Sequence, residues 1–133
     1  MNTTPLKLRS ASATLASHNQ PPRKVRLVTD LVKGKSVGDA LAALQFLPRR
    51  ASGTIAKLIK SAAANASAEG GKEKWENLVV KNITVESAGM LKKYMPRAFG
   101  RATLIRRRKS RLIVTLAPAS PAGSASPRSR ATI

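Results

Sequence analysis

The sequence is short of several residue types on which common functional sites depend. It has no cysteine and one histidine, His18, so disulfides are excluded and a Cys- or His-based zinc site lacks ligands. No apolar run approaches the roughly 18 residues of a membrane-spanning helix, so the sequence predicts no membrane span. Only four aromatic residues are present, which argues against a platform that stacks several bases: Phe46, Trp75, Tyr94 and Phe99.

Acidic residues are also scarce, and this shortage sets the charge of the whole chain. Six Asp or Glu stand against 25 Lys or Arg, which gives a net charge of +19 in 133 residues. The acids are scattered, and the sequence contains no paired-carboxylate motif, phosphate-binding glycine loop or nucleophile elbow. We therefore predict that the protein is not an enzyme and uses no cofactor or metal. Repulsion among so many cations predicts instead that a bound anion stabilises the fold.

The positive charge is densest in residues 87–116, SAGMLKKYMPRAFGRATLIRRRKSRLIVTL, which hold nine Lys or Arg and no acid. The chain has too few carboxylates to neutralise this stretch, so we expect an external polyanion, with a nucleic-acid backbone as the leading candidate. An anionic membrane surface fits less well, because the predicted helices carry small Ala and Val faces and the charge lies on predicted strands. The nine cations are Lys92, Lys93, Arg97, Arg101, Arg106, Arg107, Arg108, Lys109 and Arg111.

Apolar periodicity predicts three helices in the first half of the chain. The first begins at Pro22, whose missing N–H costs nothing there, and ends before Gly34. A capping box, Ser36 to Asp39, opens the second, and Pro48 ends it. The third has one continuous apolar face, which predicts a well-formed amphipathic helix ended by Gly70-Gly71. That face consists of Ile55, Leu58, Ile59, Ala62, Ala63 and Ala66.

In the second half of the chain the spacing of apolar residues changes from about 3.6 to about 2, which predicts a long β-hairpin. Residues 78–85 and 104–116 are rich in β-branched residues and predict two strands. Joined as a hairpin of about 78–116 with a tip at about 89–101, each arm has about 19 residues and spans about 50–60 Å. The core of so small a domain cannot cover such a ribbon, and a two-stranded ribbon alone is marginally stable in water. Residues 7–17 can add one further strand at its base.

The same patterns divide the chain into three parts. Residues 1–19 are an N-terminal segment with the first strand, and residues 20–116 are one globular α+β domain that includes the hairpin. Residues 117–133, APASPAGSASPRSRATI, are rich in Pro, Ser and Ala, a composition typical of a disordered tail.

Three blocks of sequence, in this order, resemble the large-subunit ribosomal protein L-twenty-two family: PPRKVRLVTDLVKGKSVGDALAAL, AAANA and MLKKYMPRAFGRATLIRRRKS. The resemblance covers about residues 20–116, and the PRAFGRA block is specific by itself. It implies an α+β fold with three helices against a small antiparallel sheet and one long protruding β-hairpin. It also implies a structural constituent of the large ribosomal subunit, in the cytoplasm or in an organelle.

The resemblance further implies partners and binding residues. The partners are large-subunit ribosomal RNA, whose assembly the protein assists, neighbouring large-subunit proteins, and the nascent polypeptide in the exit tunnel. Tyr94, Met95 and Pro96 match the part of the hairpin tip that is nearest the tunnel lumen. The implied RNA-binding residues are Arg23, Lys24 and Arg26 at the first helix, Lys92, Lys93, Arg97 and Arg101 at the tip, and Arg106, Arg107, Arg108 and Lys109 on the returning strand. Arg111, where the sequence departs from the family pattern, is predicted to bind RNA from its place in the cationic stretch.

Some interpretations stay open at the level of sequence. The alternative function is a DNA-architectural protein that inserts a basic β-arm, with Pro96 at its tip, into a groove. Lys57 and Lys60, opposite the apolar face of the third helix, are either RNA contacts or a solvated surface. Trp75 either covers the core or faces RNA.

Overall fold

Residues 10–68 and 77–119 are described by the computed structural model and form three helices and a three-stranded antiparallel sheet. A long hairpin made of the last two strands extends from this α+β domain, as the sequence predicts, and the fold class is confirmed. The elements are β1 Ala11–His18, α1 Pro22–Val32, α2 Val37–Phe46, α3 Arg50–Ala68, β2 Leu78–Pro96 and β3 Ala102–Pro118, with a 3₁₀ turn at Ala98–Gly100 between the last two strands.

The helix ends follow from local signals in the sequence. Pro22 is the first residue of α1, and Gly34, with φ +80°, follows the end of the helix and donates its N–H to the Val80 carbonyl at 2.9 Å. At the start of α2 the Ser36 hydroxyl accepts from the Asp39 backbone N–H at 3.1 Å and donates to the Asp39 carboxylate at 2.7 Å. These contacts satisfy donors that a helix start leaves without a partner.

The sheet has the order β1-β3-β2, so the returning strand of the hairpin lies in the centre. β2 has 19 residues and β3 has 17, which agrees with the arm length predicted from sequence. The paired ladder continues outward to Pro96 and Ala102, so the turn is residues 97–101, narrower than the predicted tip of 89–101. At the other end β3 reaches Pro118, two residues into the segment that the sequence assigns to the tail.

The core lies between the three helices and one face of the sheet. On β3, Leu112, Val114 and Leu116 are fully buried, while Ile113 and Thr115 between them are only partly covered. This alternation shows that the helices cover one face, here called the inner face, and leave the other, the outer face, uncovered. The three helices supply the opposite side of the core, and of the face predicted for the third helix only Ala66 is partly rather than fully buried. The buried helix residues are Val25, Val28, Val32, Val37, Ala40, Leu44, Ile55, Leu58, Ile59, Ala62 and Ala63.

Some features predicted from sequence lie outside the described residues. These are Trp75, the helix break at Gly70-Gly71, and the tail from residue 120 onward. Within residues 10–68 and 77–119, no helix is long and apolar enough to cross a membrane.

Candidate nucleic-acid interface

The hairpin separates from the core at one rung of the sheet. Ser110 on β3 pairs with Ser87 on β2 and with His18 on β1, and beyond this rung only β2 and β3 continue. We call residues 88–109 the ribbon and the remaining described residues the globule. No ribbon residue is buried, and every residue from Gly89 to Thr103 is exposed. The ribbon therefore has no core beneath it.

Strand register places the ribbon cations on both of its faces. Lys92 pairs with Arg106, and the next pair, Lys93 with Ile105, has its side chains on the opposite side. Because β3 keeps its regular alternation from Leu112 outward, each ribbon side chain can be assigned to the inner or the outer face. The inner face carries Lys92, Arg106 and Arg108, and the outer face carries Lys93, Arg107 and Lys109.

No carboxylate lies within the ribbon to balance these cations. Lys92 stands directly opposite Arg106, and like charges in that position destabilise a strand pair. One acid–base pair occurs at the base of the hairpin, where Glu86 is the cross-strand neighbour of Arg111. The backbone ladder thus holds the ribbon against its own electrostatic repulsion. A polyanion that contacts both faces would relieve that repulsion and stabilise the paired strands.

Two β-bulges lie next to the rung at which the ribbon leaves the globule. On β2, Ala88 and Gly89 together face the single residue Lys109, and Gly89 takes φ +85°. On β1, a second irregularity lies between Leu15 and His18. Bulges bend a strand and increase its right-handed twist, so the bulge on β2 bends that strand where the ribbon begins. The glycine at position 89 is explained by the positive φ that the bulge requires.

The same rung holds two buried polar atoms that have no hydrogen-bond partner. Ser110 is completely buried, yet its hydroxyl oxygen contacts no donor or acceptor within hydrogen-bond distance. The Nε2 atom of His18, its neighbour on β1, is likewise without a partner. Buried polar groups of this kind cost free energy. At this end of the core, two buried polar atoms therefore lack the hydrogen bonds that would offset the cost of burying them.

The turn at the end of the ribbon presents an aromatic side chain to the surroundings. Arg97 N–H donates to the Arg101 carbonyl at 2.7 Å, which closes the turn, and the Arg97 Nε–H donates to the Thr103 hydroxyl at 3.2 Å. Phe99 takes φ +58°, an uncommon value for a residue other than glycine, and its side chain is 98% exposed. Phe99 was not among the site residues predicted from sequence, where neither its positive φ nor its near-complete exposure is visible.

The three residues predicted to be nearest the tunnel lumen do not share a face. Tyr94 and Pro96 follow Lys92 along the inner face, whereas Met95 lies on the outer face with Lys93. All three are exposed, and Tyr94 is 72% exposed. Together with Phe99 they surround the end of the ribbon with apolar surface. The turn also carries the exposed cations Arg97 and Arg101, and the cations of the two strands begin immediately behind it.

The cations predicted at the first helix are separated by the structure. Arg23 is exposed, and Lys24 lies beside the link between α2 and α3. Arg26, about 200° around the helix from Lys24, donates from its Nη2 atom to the Val85 carbonyl at 3.1 Å. Its guanidinium therefore joins α1 to β2 just before the ribbon begins. RNA contact by these three residues stays a prediction.

The lysines of α3 and the possible metal ligands are the other candidate sites. Lys57 and Lys60 are exposed on α3, as the sequence predicts for the side opposite the apolar face. In the part of the chain that the structure describes, no group of three or more His, Cys, Asp or Glu residues could hold a metal ion. The exposed cationic ribbon is the most distinctive surface of the described residues.

Comparison with known proteins agrees with this geometry. The profile of a family described as Ribosomal protein L22p/L17e matches residues 13–117, from within β1 to the penultimate residue of β3 and through the entire ribbon. The chain belongs to the ribosomal protein L22p/L17e family. This membership confirms the resemblance seen in the sequence and the prediction that the protein is not an enzyme.

Curated bacterial proteins of the family match most of the chain. The large ribosomal subunit protein uL22 of Herpetosiphon aurantiacus is 49% identical over 104 residues, which cover 78% of this chain and 91% of that protein. The uL22 of Anaeromyxobacter sp. strain Fw109-5 is 46% identical over 107 residues, 80% of this chain and 74% of its own length. The uL22 of Geobacter sulfurreducens is 44% identical over 107 residues, which cover 80% of this chain and 96% of that protein. The similarity thus extends over nearly the whole domain.

Proposed function

We propose that this L22p/L17e protein is a structural constituent of the large ribosomal subunit and binds ribosomal RNA by inserting its ribbon between RNA segments. The observation that carries the proposal is the alternation of cations onto both faces of an exposed ribbon without acids. A strand pair that merely rests on RNA needs cations on one face only. Cations on both faces suit a ribbon with phosphates on either side.

Binding of this kind is driven by phosphate contacts rather than by base reading. The ribbon has eight cations, two in the turn and six on the strands. Each phosphate that they neutralise releases counterions, so the logarithm of the binding constant falls by about 0.7 per contact for each unit of log salt concentration on single-stranded RNA. Shape and phosphate spacing in folded RNA then supply the selectivity. By holding crowded RNA segments together, the ribbon assists assembly of the subunit.

The end of the ribbon has a different role in this proposal. Tyr94, Met95, Pro96 and Phe99 give the end an exposed apolar surface, with the turn cations Arg97 and Arg101 beside it. Such a surface suits contact with a polypeptide better than contact with phosphates. We therefore assign the tip to the wall of the peptide exit tunnel, where a nascent chain passes it. The globule then lies among neighbouring large-subunit proteins, on ribosomes in the cytoplasm.

Ultraviolet crosslinking of the protein in its own cells, followed by sequencing of the attached RNA, tests this function. We expect crosslinks in a few large-subunit ribosomal RNA segments, joined to peptides from residues 92–109. Crosslinks spread over unrelated transcripts, or recovery mainly with DNA, would contradict the proposal and favour a DNA-architectural protein with a basic arm.

Matched variants make the same experiment specific to the ribbon. Lys92→Gln with Arg106→Gln removes two inner-face cations, and Lys93→Gln with Arg107→Gln removes two outer-face cations. Lys57→Gln with Lys60→Gln makes the same charge change on α3. We expect both ribbon pairs, but not the α3 pair, to be under-represented in ribosomes when each is co-expressed with the unchanged chain. Equal incorporation of all three pairs would contradict a role for the ribbon.

A further inference from the structure

A groove on the globule lies between α1 and the link that joins α2 to α3. Its volume is about 350 Å³, enough for one or two bulky side chains of a partner. One wall is formed by α1 and the residue Gln20 before it, and the other by the link and the first turn of α3. The lining residues are Gln20, Lys24, Leu27, Val28, Pro48, Arg49, Arg50 and Ala51.

The groove combines apolar surface with cations on both walls. Val28 and Ala51 are 2% exposed and line its apolar depth, whereas Leu27 is 63% exposed and gives one wall an uncovered aliphatic side chain. Lys24 on one wall and Arg49 and Arg50 on the other are all exposed. None of the eight lining residues is acidic.

The groove is separate from the ribbon. Arg26, on the side of α1 opposite Lys24, contacts Val85 at the base of the hairpin, so α1 stands between the groove and the point at which the ribbon leaves the globule. A molecule bound in the groove therefore needs no contact with the ribbon cations. Both sites can be occupied together.

We propose that this groove docks a short amphipathic helical segment of a partner protein, with an apolar side chain against Leu27 and carboxylates paired with Lys24, Arg49 and Arg50. Helix-in-groove recognition uses apolar anchors for affinity and flanking charges for register. Charge complementarity selects an acidic segment, because every charged residue in the lining is a cation. Lys24 would then serve a protein partner rather than RNA.

The exposed aliphatic surface distinguishes a protein partner from RNA. A phosphate backbone gains from the three cations but gains nothing from a leucine that stays 63% exposed in the free protein. Leu31, one helical turn beyond Leu27 and 51% exposed, continues the aliphatic row along the same side of α1. An amphipathic helix laid along α1 would cover both leucines.

The test uses a labelled acidic amphipathic helical peptide with leucines on one face and glutamates beside them. The full-length protein is titrated into the peptide, and fluorescence anisotropy measures binding. The salt concentration is about 150 mM, where the electrostatic screening length is about 8 Å. Leu27→Ser, or Arg49→Gln with Arg50→Gln, is expected to weaken binding about tenfold, as for a central interface contact. Phe46→Ser removes an 87% exposed aromatic outside the groove, and Lys57→Gln with Lys60→Gln removes two charges outside it. Each control is expected to change binding less than about twofold.

A second peptide, with serines in place of leucines and the same charge, isolates the apolar contribution. The proposal requires it to bind about tenfold more weakly than the leucine peptide. It is overturned if the two peptides bind alike, or if the α3 charge pair weakens binding as much as the groove pair. It is also overturned if an RNA oligonucleotide displaces the peptide and depends on Arg49 and Arg50 but not on Leu27, since the groove would then be a phosphate site. None of these results depends on the ribbon, so failure here leaves its proposed function standing.

Discussion

The globule and the ribbon share two strands, yet different forces hold them. In the globule, β2 and β3 present apolar side chains such as Val80, Leu112 and Val114 to three helices, and burial stabilises the pairing. In the ribbon the same strands have no buried residue and carry eight of the 19 cations of the described residues within positions 88–109. The change occurs at the rung of Ser87, Ser110 and His18.

The difference shows how one chain separates folding from binding. Residues of the globule encode a structure that forms from its own contacts, whereas the ribbon has backbone pairing but lacks both a core and counter-charges. An element of that kind is marginally stable alone and reaches its full stability only with its partner. Substitutions in the two regions should therefore have separate effects on stability and on RNA binding.

Core and ribbon leucines should differ most in their effect on stability. Leu112→Ala removes a completely buried side chain of β3, and we expect it to lower the free energy of unfolding by about 2–5 kcal/mol. Leu91→Ala, at a ribbon position that is 50% exposed, should change it by no more than about 0.5 kcal/mol. Urea denaturation of the two variants measures the contrast. Similar losses would mean that the ribbon is part of the cooperative unit.

Ribbon cations should affect RNA binding without affecting the stability of the globule. Lys92→Gln with Arg106→Gln removes two inner-face contacts, and we expect the slope of log binding constant against log salt to become shallower by about 1.4. Lys93→Gln with Arg107→Gln on the outer face should do the same, since phosphates lie on both sides. Salt titration of binding to a large-subunit RNA fragment measures both slopes. An effect from only one of the two pairs would indicate a ribbon bound on a single face.

Neighbouring cations of α1 should behave differently from one another. Arg26→Ala removes the guanidinium that donates to the Val85 carbonyl, and we expect a loss of about 1–2 kcal/mol in the free energy of unfolding. Arg23→Ala, at an exposed position three residues earlier, should cost less than about 0.5 kcal/mol. Thermal and urea unfolding compare the pair. Equal small effects would show that the Arg26 contact with the Val85 carbonyl contributes nothing to the free energy of unfolding.

Replacing two buried serines by alanine should change the free energy of unfolding in opposite directions and by small amounts. The Ser110 hydroxyl has no partner, so Ser110→Ala is expected to leave stability unchanged or raise it by up to about 1 kcal/mol. The Ser52 hydroxyl contacts the carbonyl oxygens of Arg49 at 2.6 Å and Leu47 at 3.1 Å, so Ser52→Ala should lower stability by about 1 kcal/mol. Destabilisation by Ser110→Ala would mean that this hydroxyl is satisfied in solution.

Features that depend on neighbouring residues in the chain could be predicted from the sequence. The capping pair Ser36 and Asp39 forms its hydrogen bonds as expected, and the apolar spacing from Ile55 to Ala63 gives a buried helix face. The resemblance of the PRAFGRA block identified the family. Each of these signals lies within one element or one motif, and no knowledge of distant contacts is needed to interpret it.

Features that depend on contacts between distant residues could not be predicted. The length of the hairpin arms was predicted, but the extent of the turn was not: residues 89–101, which include Gly89, Pro96 and Gly100, were predicted as the tip, whereas pairing continues to Pro96 and Ala102. Arg23, Lys24 and Arg26 were predicted together as RNA-binding residues, and their spacing could not show that Arg26 contacts Val85, 59 positions later in the chain. The ribbon cations could be assigned to two faces only once the pairing register of β2 and β3 was known.

The central claim, that RNA lies on both faces of the ribbon, can be tested with tethered crosslinkers. The chain has no cysteine, so a single introduced cysteine gives a unique attachment point. Met90→Cys places the crosslinker on the inner face and Leu91→Cys on the outer face, at adjacent positions that carry no charge. In assembled large subunits, both positions should crosslink to ribosomal RNA, each to a different segment. Crosslinks from only one of the two positions, or from neither, would contradict the account.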